Sequence, residues 1–279
     1  MIESPARPLR PPAPGVGDPP APAGRLDSME KSECLEAIER EASHILTIVE
    51  DPGVDLARPV PTCPGWTLDD LPSHLGRVYA MVTTVLGGDP NSPPDRSKIP
   101  SRPEAQAPSS WMRDRLAILL DALRQVADDA RFWNFATGPA SPVSFWWRRQ
   151  AHETLIHRVD ADLAAGGPVA APTVDLAADG IDDFLAVSGF RQVTAEQLAP
   201  GSGLTLELRA GDVRGPGWSV STDEPLFTRD TRSADVVVHG TAWALDLWCW
   251  QRDVPAVILA EEVRFDGDRH AAEEWRPVR

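Results

Sequence analysis

Lysine is nearly absent from this chain. Of 27 basic residues only Lys31 and Lys98 are not arginine, a bias of GC-rich codon usage rather than of chemistry. Cysteine is scarce too. Cys34, Cys63 and Cys249 lie far apart, form no C-x-x-C pair, and their odd number argues against a disulfide framework. The expected setting is a reducing cytoplasm with buried thiols. No run of about 18 apolar residues exists, so no membrane-spanning helix is expected. No apolar segment follows the first charges, so no secretory signal is expected either. Positive charge is in deficit. The net charge is −15, which repels nucleic acid and anionic membrane surfaces. A small anionic substrate then needs local arginines.

What is present is a core. Hydrophobic residues make up 42% of 279, enough for one large or two modest domains. Residues 1–26 are rich in Pro, Ala and Gly, carry no apolar periodicity, and read as a disordered tail. Residues 27–170 read as a four-helix bundle and 171–279 as a small α+β unit. The first helix is expected from about Ser28 or Ser32 to Glu50, with Leu35, Ile38, Ala42, Ile45 and Val49 on one stripe. Asp51-Pro52-Gly53 stops it. Thr67 reads as the cap of a second helix running to Leu86, with Asp70 in a capping-box position and Pro72 expected to bend it. A Pro-rich loop over 87–108 leads to a third helix, Ser110 to Asp129. Ser141-Pro142 reads as the start of a fourth, ending at Gly166-Gly167. A further helix is expected over 174–195. After Gly201 the period changes to two: Leu204, Leu206 and Leu208 alternate with Thr205, Glu207 and Arg209. Trp218–Thr222 and Ala234–His239 are further strands, and Thr241 caps a short helix to Arg252.

The chemistry concentrates in the fourth helix. His152-Glu153-Thr154-Leu155-Ile156-His157 invites comparison with H-E-x-x-H, but the spacing differs. His152 and His157, five apart, lie about 140° apart around a helix. Glu153 and His157, four apart, share one face and can share one ion. His74 falls among Leu71, Leu75 and Val78, which points it into the bundle, where metal sites are built from facing helices. His74, Glu153 and His157 are therefore the candidate metal ligands. A lone histidine on an apolar face usually serves packing, and Glu153–His157 alone could be a helix-surface pair. His152, on the stripe of Ile156, Val159 and Leu163, is assigned to packing.

At these residues the sequence resembles the mycothiol-dependent maleylpyruvate isomerase family. Val60 to Leu71 followed by Ser73-His74-Leu75-Gly76, and Ala151 to Asp160, are similar to that family's two metal-binding segments. The resemblance implies a DinB-like N-terminal bundle and a sterol-carrier-like α+β C-terminal domain. It also implies mycothiol, the low-molecular-weight thiol of actinobacteria, as cofactor beside a divalent metal ion. The family's three ligands fall on His74, Glu153 and His157. Its thiol adds to an activated double bond, the adduct rotates, and the thiol leaves. Arg252 matches a family substrate arginine and is the candidate catalytic residue. Arg96 and Arg102 are candidates for a second such arginine.

The expected activity is thus isomerase or thiol S-transferase, acting on an acidic small electrophile. The ligand set suits Zn²⁺ but also Fe²⁺, Mn²⁺ or Ni²⁺. The alternative is a non-catalytic metal- and ligand-binding protein of the same fold. A zinc protease is disfavoured by the histidine spacing.

Overall fold

A computed structural model describes residues 29–192, 204–220, 227–230, 233–252 and 262–276. The expected tail over 1–26 lies outside the described residues. The first four helices are α1 (Lys31–Val49), α2 (Asp70–Leu86), α3 (Pro108–Gln125) and α4 (Ser144–Ala165). They pack as a bundle, α1 against α4 and α2 against α3. Their apolar stripes form one core that includes Ile38, Ile45, Leu71, Leu75, Met112, Leu119 and Leu155. Gly76 lets α2 and α3 approach: a Cβ there would lie 2.1 Å from the Trp111 ring.

Several helix ends differ from expectation. Helix α1 starts after Glu30, whose N–H donates to the Glu33 carboxylate at 3.0 Å. Helix α2 starts at Asp70, three residues beyond Thr67, and Asp69 is its N-cap. Asp70 instead accepts from the Thr67 N–H and hydroxyl, both at 2.8 Å. Pro72 is thereby in the first turn, where its missing N–H breaks no helical bond, so no bend is required. Helix α3 ends four residues before Asp129.

Ser141 and Pro142 do not open the fourth helix. They belong to strand β2 (Gly138–Pro142), which pairs with β1 (Arg131–Asn134) in a hairpin the sequence reading missed. The Asn134 side chain closes the turn by accepting from the Ala136 and Thr137 N–H groups, at 2.9 and 2.7 Å. Gly138 takes the left-handed conformation there, with φ +85°. The hairpin holds α4 through Trp146, whose indole N–H donates to the Trp133 carbonyl at 3.0 Å. Helix α4 then starts at Ser144 and ends at left-handed Gly166.

Helix α5 (Val174–Gln192) leads to strands β3 (Leu206–Ala210), β4 (Trp218–Val220), β5 (Phe227–Thr228) and β6 (Val236–Gly240). Helix α6 (Ala242–Cys249), strand β7 (Arg264–Asp266) and helix α7 (Arg269–Trp275) follow. The parts of the expected helix and strand that include residue 195 and Thr222 lie outside the described residues. The sheet order is β5-β4-β3-β6-β7, antiparallel except for the β3–β6 pair. Ile181, Phe184 and Leu185 of α5 meet Leu206, Leu208, Trp218, Val238 and Leu245 in a second core. Thr241 caps α6, accepting from the Ala244 N–H at 3.1 Å. Glu207, expected on the solvent face of β3, is buried, with its carboxylate paired to Arg209. This is the expected architecture: a four-helix bundle followed by an α+β unit.

Helix α4 lies between the two. One side packs into the bundle, while Ile156 and Val159 meet Ala244 and Leu247 of α6. Sixteen of its 22 residues are buried, many of them polar. Buried polar groups need partners, and Arg149, His152, Thr154, Arg158, Asp160 and Asp162 of α4 find them on other elements. That network builds the site.

Candidate metal site

Two helices and one loop build the site. Helix α2 carries His74, one position before the fully buried Leu75. Helix α4 carries Glu153 and His157. The two helices are tied one turn away by the Tyr79 hydroxyl, 2.9 Å from the Thr154 hydroxyl. The loop before α2 folds back on itself. The Val60 N–H donates to the Trp66 carbonyl at 2.9 Å, and Gly65 at φ +83° makes the turn. Trp66 is thus laid over His157, with ring centroids 5.9 Å apart and planes within 13°, and against His74 at 4.9 Å.

The three predicted ligands converge. His74 Nε2 is 3.1 Å from Glu153 Oε1, and His157 Nε2 is 3.5 Å from the same oxygen. The imidazole centroids are 4.7 Å apart. The second Glu153 oxygen accepts from Arg149 Nη2 at 2.6 Å, and Arg149 in turn reaches Asp183 of α5. Burial pushes the Glu153 carboxyl up, but hydrogen bonds from His157 and His74 and the Arg149 charge hold it well below the usual range.

His157 is fixed from behind. Its Nδ1 donates to Asp160 Oδ2 at 2.9 Å, because a carboxylate can only accept. Burial pushes the imidazole down, but the hydrogen bonds to Asp160 and Glu153 win, and its pKa rises to about 8. Asp160 also accepts from the Thr62 hydroxyl, from Cys63 Sγ at 3.3 Å, and from Arg252 Nε and Nη2 at 3.0 and 2.8 Å. Burial raises the Asp160 carboxyl. The Arg252 charge and these hydrogen bonds more than offset it and hold the carboxyl far below the usual range.

Arg252 is buried just beyond α6, and its planar fork is taken by Asp160. Its Nη1 donates to the Trp250 carbonyl at 2.8 Å. The sequence reading gave it a substrate carboxylate; the structure places it on an internal one. Arg96 and Arg102 sit on the exposed loop after α2, where Arg102 donates to the Gln106 carbonyl. His152, assigned to packing, faces α5 and pairs with Asp179 at 2.7 Å. It is a buried polar partner, and it lies away from His74 and His157. Asp160 and Arg149 were missed as site residues. Their helical spacing, three after His157 and four before Glu153, is the signal that points to them.

The donor set fits a divalent ion. Two imidazole nitrogens and a carboxylate oxygen bonded at about 2.0–2.1 Å in a tetrahedron would stand about 3.3 Å apart. The 3.1 and 3.5 Å separations are of that size. The Asp160 bond to His157 is the outer-sphere contact that orients a ligating imidazole. Cys63, His157 and Asp160 also cluster within 4.8 Å. Arg252 Nη2 lies 2.8 Å from Asp160 and 3.6 Å from Cys63 Sγ, so a positive charge already fills that corner. A cleft of about 460 Å³ opens beside His74, lined by Gly65, Trp66, Asp70, Ser73, His74 and Arg77.

Among the described residues, the Asp246 carboxyl has no hydrogen-bond partner. Both oxygens of Asp246 are buried and unsatisfied, under Gly180 of α5, where a Cβ would come within 2.7 Å of them. Burial pushes its pKa up to about 7 from 3.8. Between these values the native protein keeps a proton that the unfolded chain has lost, so stability falls as pH rises. Asp246→Asn removes that loss. Its stability advantage over wild type should widen from pH 4 to pH 8, to on the order of 2–4 kcal/mol. Denaturation curves across that range check it; a pH-independent difference would contradict it.

The fold is a four-helix bundle in which His74, Glu153 and His157 converge, followed by an α+β unit. Residues 38–162 match the family model described as the mycothiol maleylpyruvate isomerase N-terminal domain. The fold is similar to the crystal structure of the mycothiol-dependent maleylpyruvate isomerase, at 17% identity and a TM-score of 0.58. That match covers 91% of this chain and 100% of the other. A histidine-to-alanine mutant of that isomerase matches at 16% identity and a TM-score of 0.57, over the same shares. No curated protein matches the chain. Among the described residues no helix is long and apolar enough to cross a membrane.

Proposed function

We propose that this chain is a metal-dependent enzyme. In this reading it activates the thiol of mycothiol for addition to an electrophilic, acidic small molecule, as a cis–trans isomerase or an S-transferase. The observation that carries this is the convergence of His74, Glu153 and His157 beside an open cleft. These three side chains would hold the ion. A divalent cation bound there supplies a Lewis acid that keeps a thiol ionised at neutral pH.

The chain's own residues do the rest. Asp160 holds the His157 proton at Nδ1, which leaves the Nε2 lone pair for the site once the excess proton is lost. Arg252 holds Asp160, so it acts through His157 rather than on substrate. Arg149 fixes one Glu153 oxygen and leaves the other facing the histidines. Trp66 covers both imidazoles and limits water on that side. Mycothiol bound beside His74, Glu153 and His157 would supply the nucleophilic sulfur for an activated double bond, released again in isomerisation or retained in the product in transfer.

Metal analysis of the purified protein, joined to mass spectrometry of mycothiol with a panel of electrophiles, tests the reading. About one divalent ion per chain and either a thiol adduct or a thiol-dependent isomerisation are expected. Metal-free protein that is fully folded and unreactive after reconstitution would reject it.

A further inference from the structure

An acidic electrophile needs a cation at the cleft, and the arginines around the site are engaged. Arg252 is on Asp160, Arg149 bridges Glu153 and Asp183, and Arg158 bridges Glu41 and Asp162. All three are buried. Arg77 differs. It is exposed, it lines the cleft with His74, and among the described residues it has no hydrogen-bond or ion-pair partner. Arg77 lies three residues after His74, a rise of about 4.5 Å along the helix axis on nearly the same face. Ser73 is four residues before Arg77 on that face and also lines the cleft. A guanidinium beside a hydroxyl is a carboxylate-binding pair. The cleft's own carboxylate, Asp70, is held by the Thr67 N–H and hydroxyl.

We infer that Arg77, with Ser73 beside it, binds the carboxylate of an acidic substrate whose reactive carbon lies toward His74. This rests on the proposed reading of the site as one for an acidic electrophile, and it gives the anion-holding role to Arg77 in place of Arg252. Arg77 is a specificity-determining residue in this assignment: it discriminates the acid from its ester, and takes no part in holding the metal. The span from helix turn to helix turn suits a short diacid or keto acid rather than a long-chain one.

The test compares maleate with its dimethyl ester on full-length protein, by calorimetric binding and, where turnover occurs, by steady-state kinetics. Arg77→Ala should weaken maleate binding and raise its KM by roughly 10–100-fold, with kcat little changed. Binding of the ester and the metal content should stay as in wild type. Arg77→Lys should recover only part of the loss, since an ammonium cannot make the forked contact. Equal weakening of acid and ester, no weakening of either, or a wild-type protein that does not bind maleate would each overturn the inference. Failure of the underlying reading looks different: wild-type protein without metal or thiol chemistry, whatever Arg77 does to maleate binding.

Discussion

Glu153→Ala should strip the metal from this protein while His152→Ala keeps it, although the two residues are adjacent. Glu153 Oε1 is the atom that both candidate imidazoles face, at 3.1 and 3.5 Å. Its loss leaves two neutral nitrogens and no anionic donor. The affinity drop should exceed the about 10–100-fold that follows loss of an outer-sphere partner. His152 points the other way, onto Asp179, which keeps Arg148 as a second partner at 2.9 Å. His152→Ala is therefore expected to be less stable yet fully metallated. Metal per folded chain, by elemental analysis after dialysis against a weak chelator, is the readout. Equal metal loss in the two variants would show that the wrong face of α4 had been chosen.

Arg252→Ala should be the most destabilising single change near the site. It leaves the buried carboxylate of Asp160 without its cation, and breaking a buried pair from one side costs about 3–5 kcal/mol. Because the Asp160 carboxyl is held far below its usual range, the stabilisation is present above about pH 4 and is lost as pH falls below it. The double variant Asp160→Asn with Arg252→Leu should lose less than Arg252→Ala alone, since no unpaired charge remains. The metal affinity of Arg252→Ala should also fall, because a loosened Asp160 no longer sets the His157 ring. Urea unfolding at pH 7 and pH 4 checks the first part and metal titration the second. Wild-type stability in Arg252→Ala would show that the ion pair contributes nothing net.

These two variants also separate the roles assigned within the site. Arg252 is expected to move stability and metal affinity together and to affect acidic and neutral electrophiles alike. Arg77 is expected to move only the acidic ones. A substrate arginine and a positioning arginine thus leave different signatures, whichever electrophile the protein uses.

The apolar stripes of α1 to α3 were legible because each is a local repeat with a clear period. Leu35, Ile38, Ala42 and Ile45 are buried as the spacing of three and four requires. The pairing of Glu153 with His157, rather than of His152 with His157, also followed from helix geometry alone. Strand β3 announced itself by period two, and β4 and β6 were also expected, whereas the short β5 and β7 were not. The hairpin over β1 and β2 did not, because two short strands with a bulged register carry little pattern of their own. Ser141-Pro142 has the local chemistry of a helix start and was overruled by pairing with Phe132 and Arg131.

Helix α4 marks where local reading runs out. It has almost no amphipathic face, since it is packed by the bundle on one side and by α5 and α6 on the other. Its arginines and aspartates were thus assignable to no face from sequence. That Arg252 reaches back across 92 positions to Asp160, and Arg149 across 34 to Asp183, is a matter of tertiary placement. The sequence by itself determined which residue types could bind a metal and on which helix face Glu153 and His157 stand together. Only the tertiary structure decided that Arg252 is an internal counter-ion and that Arg77 lines the cleft with no partner among the described residues. The physical reason is that helical spacing constrains neighbours within one turn or two, whereas an arginine's partner is set by which carboxylate the packed helices bring within about 3 Å of it.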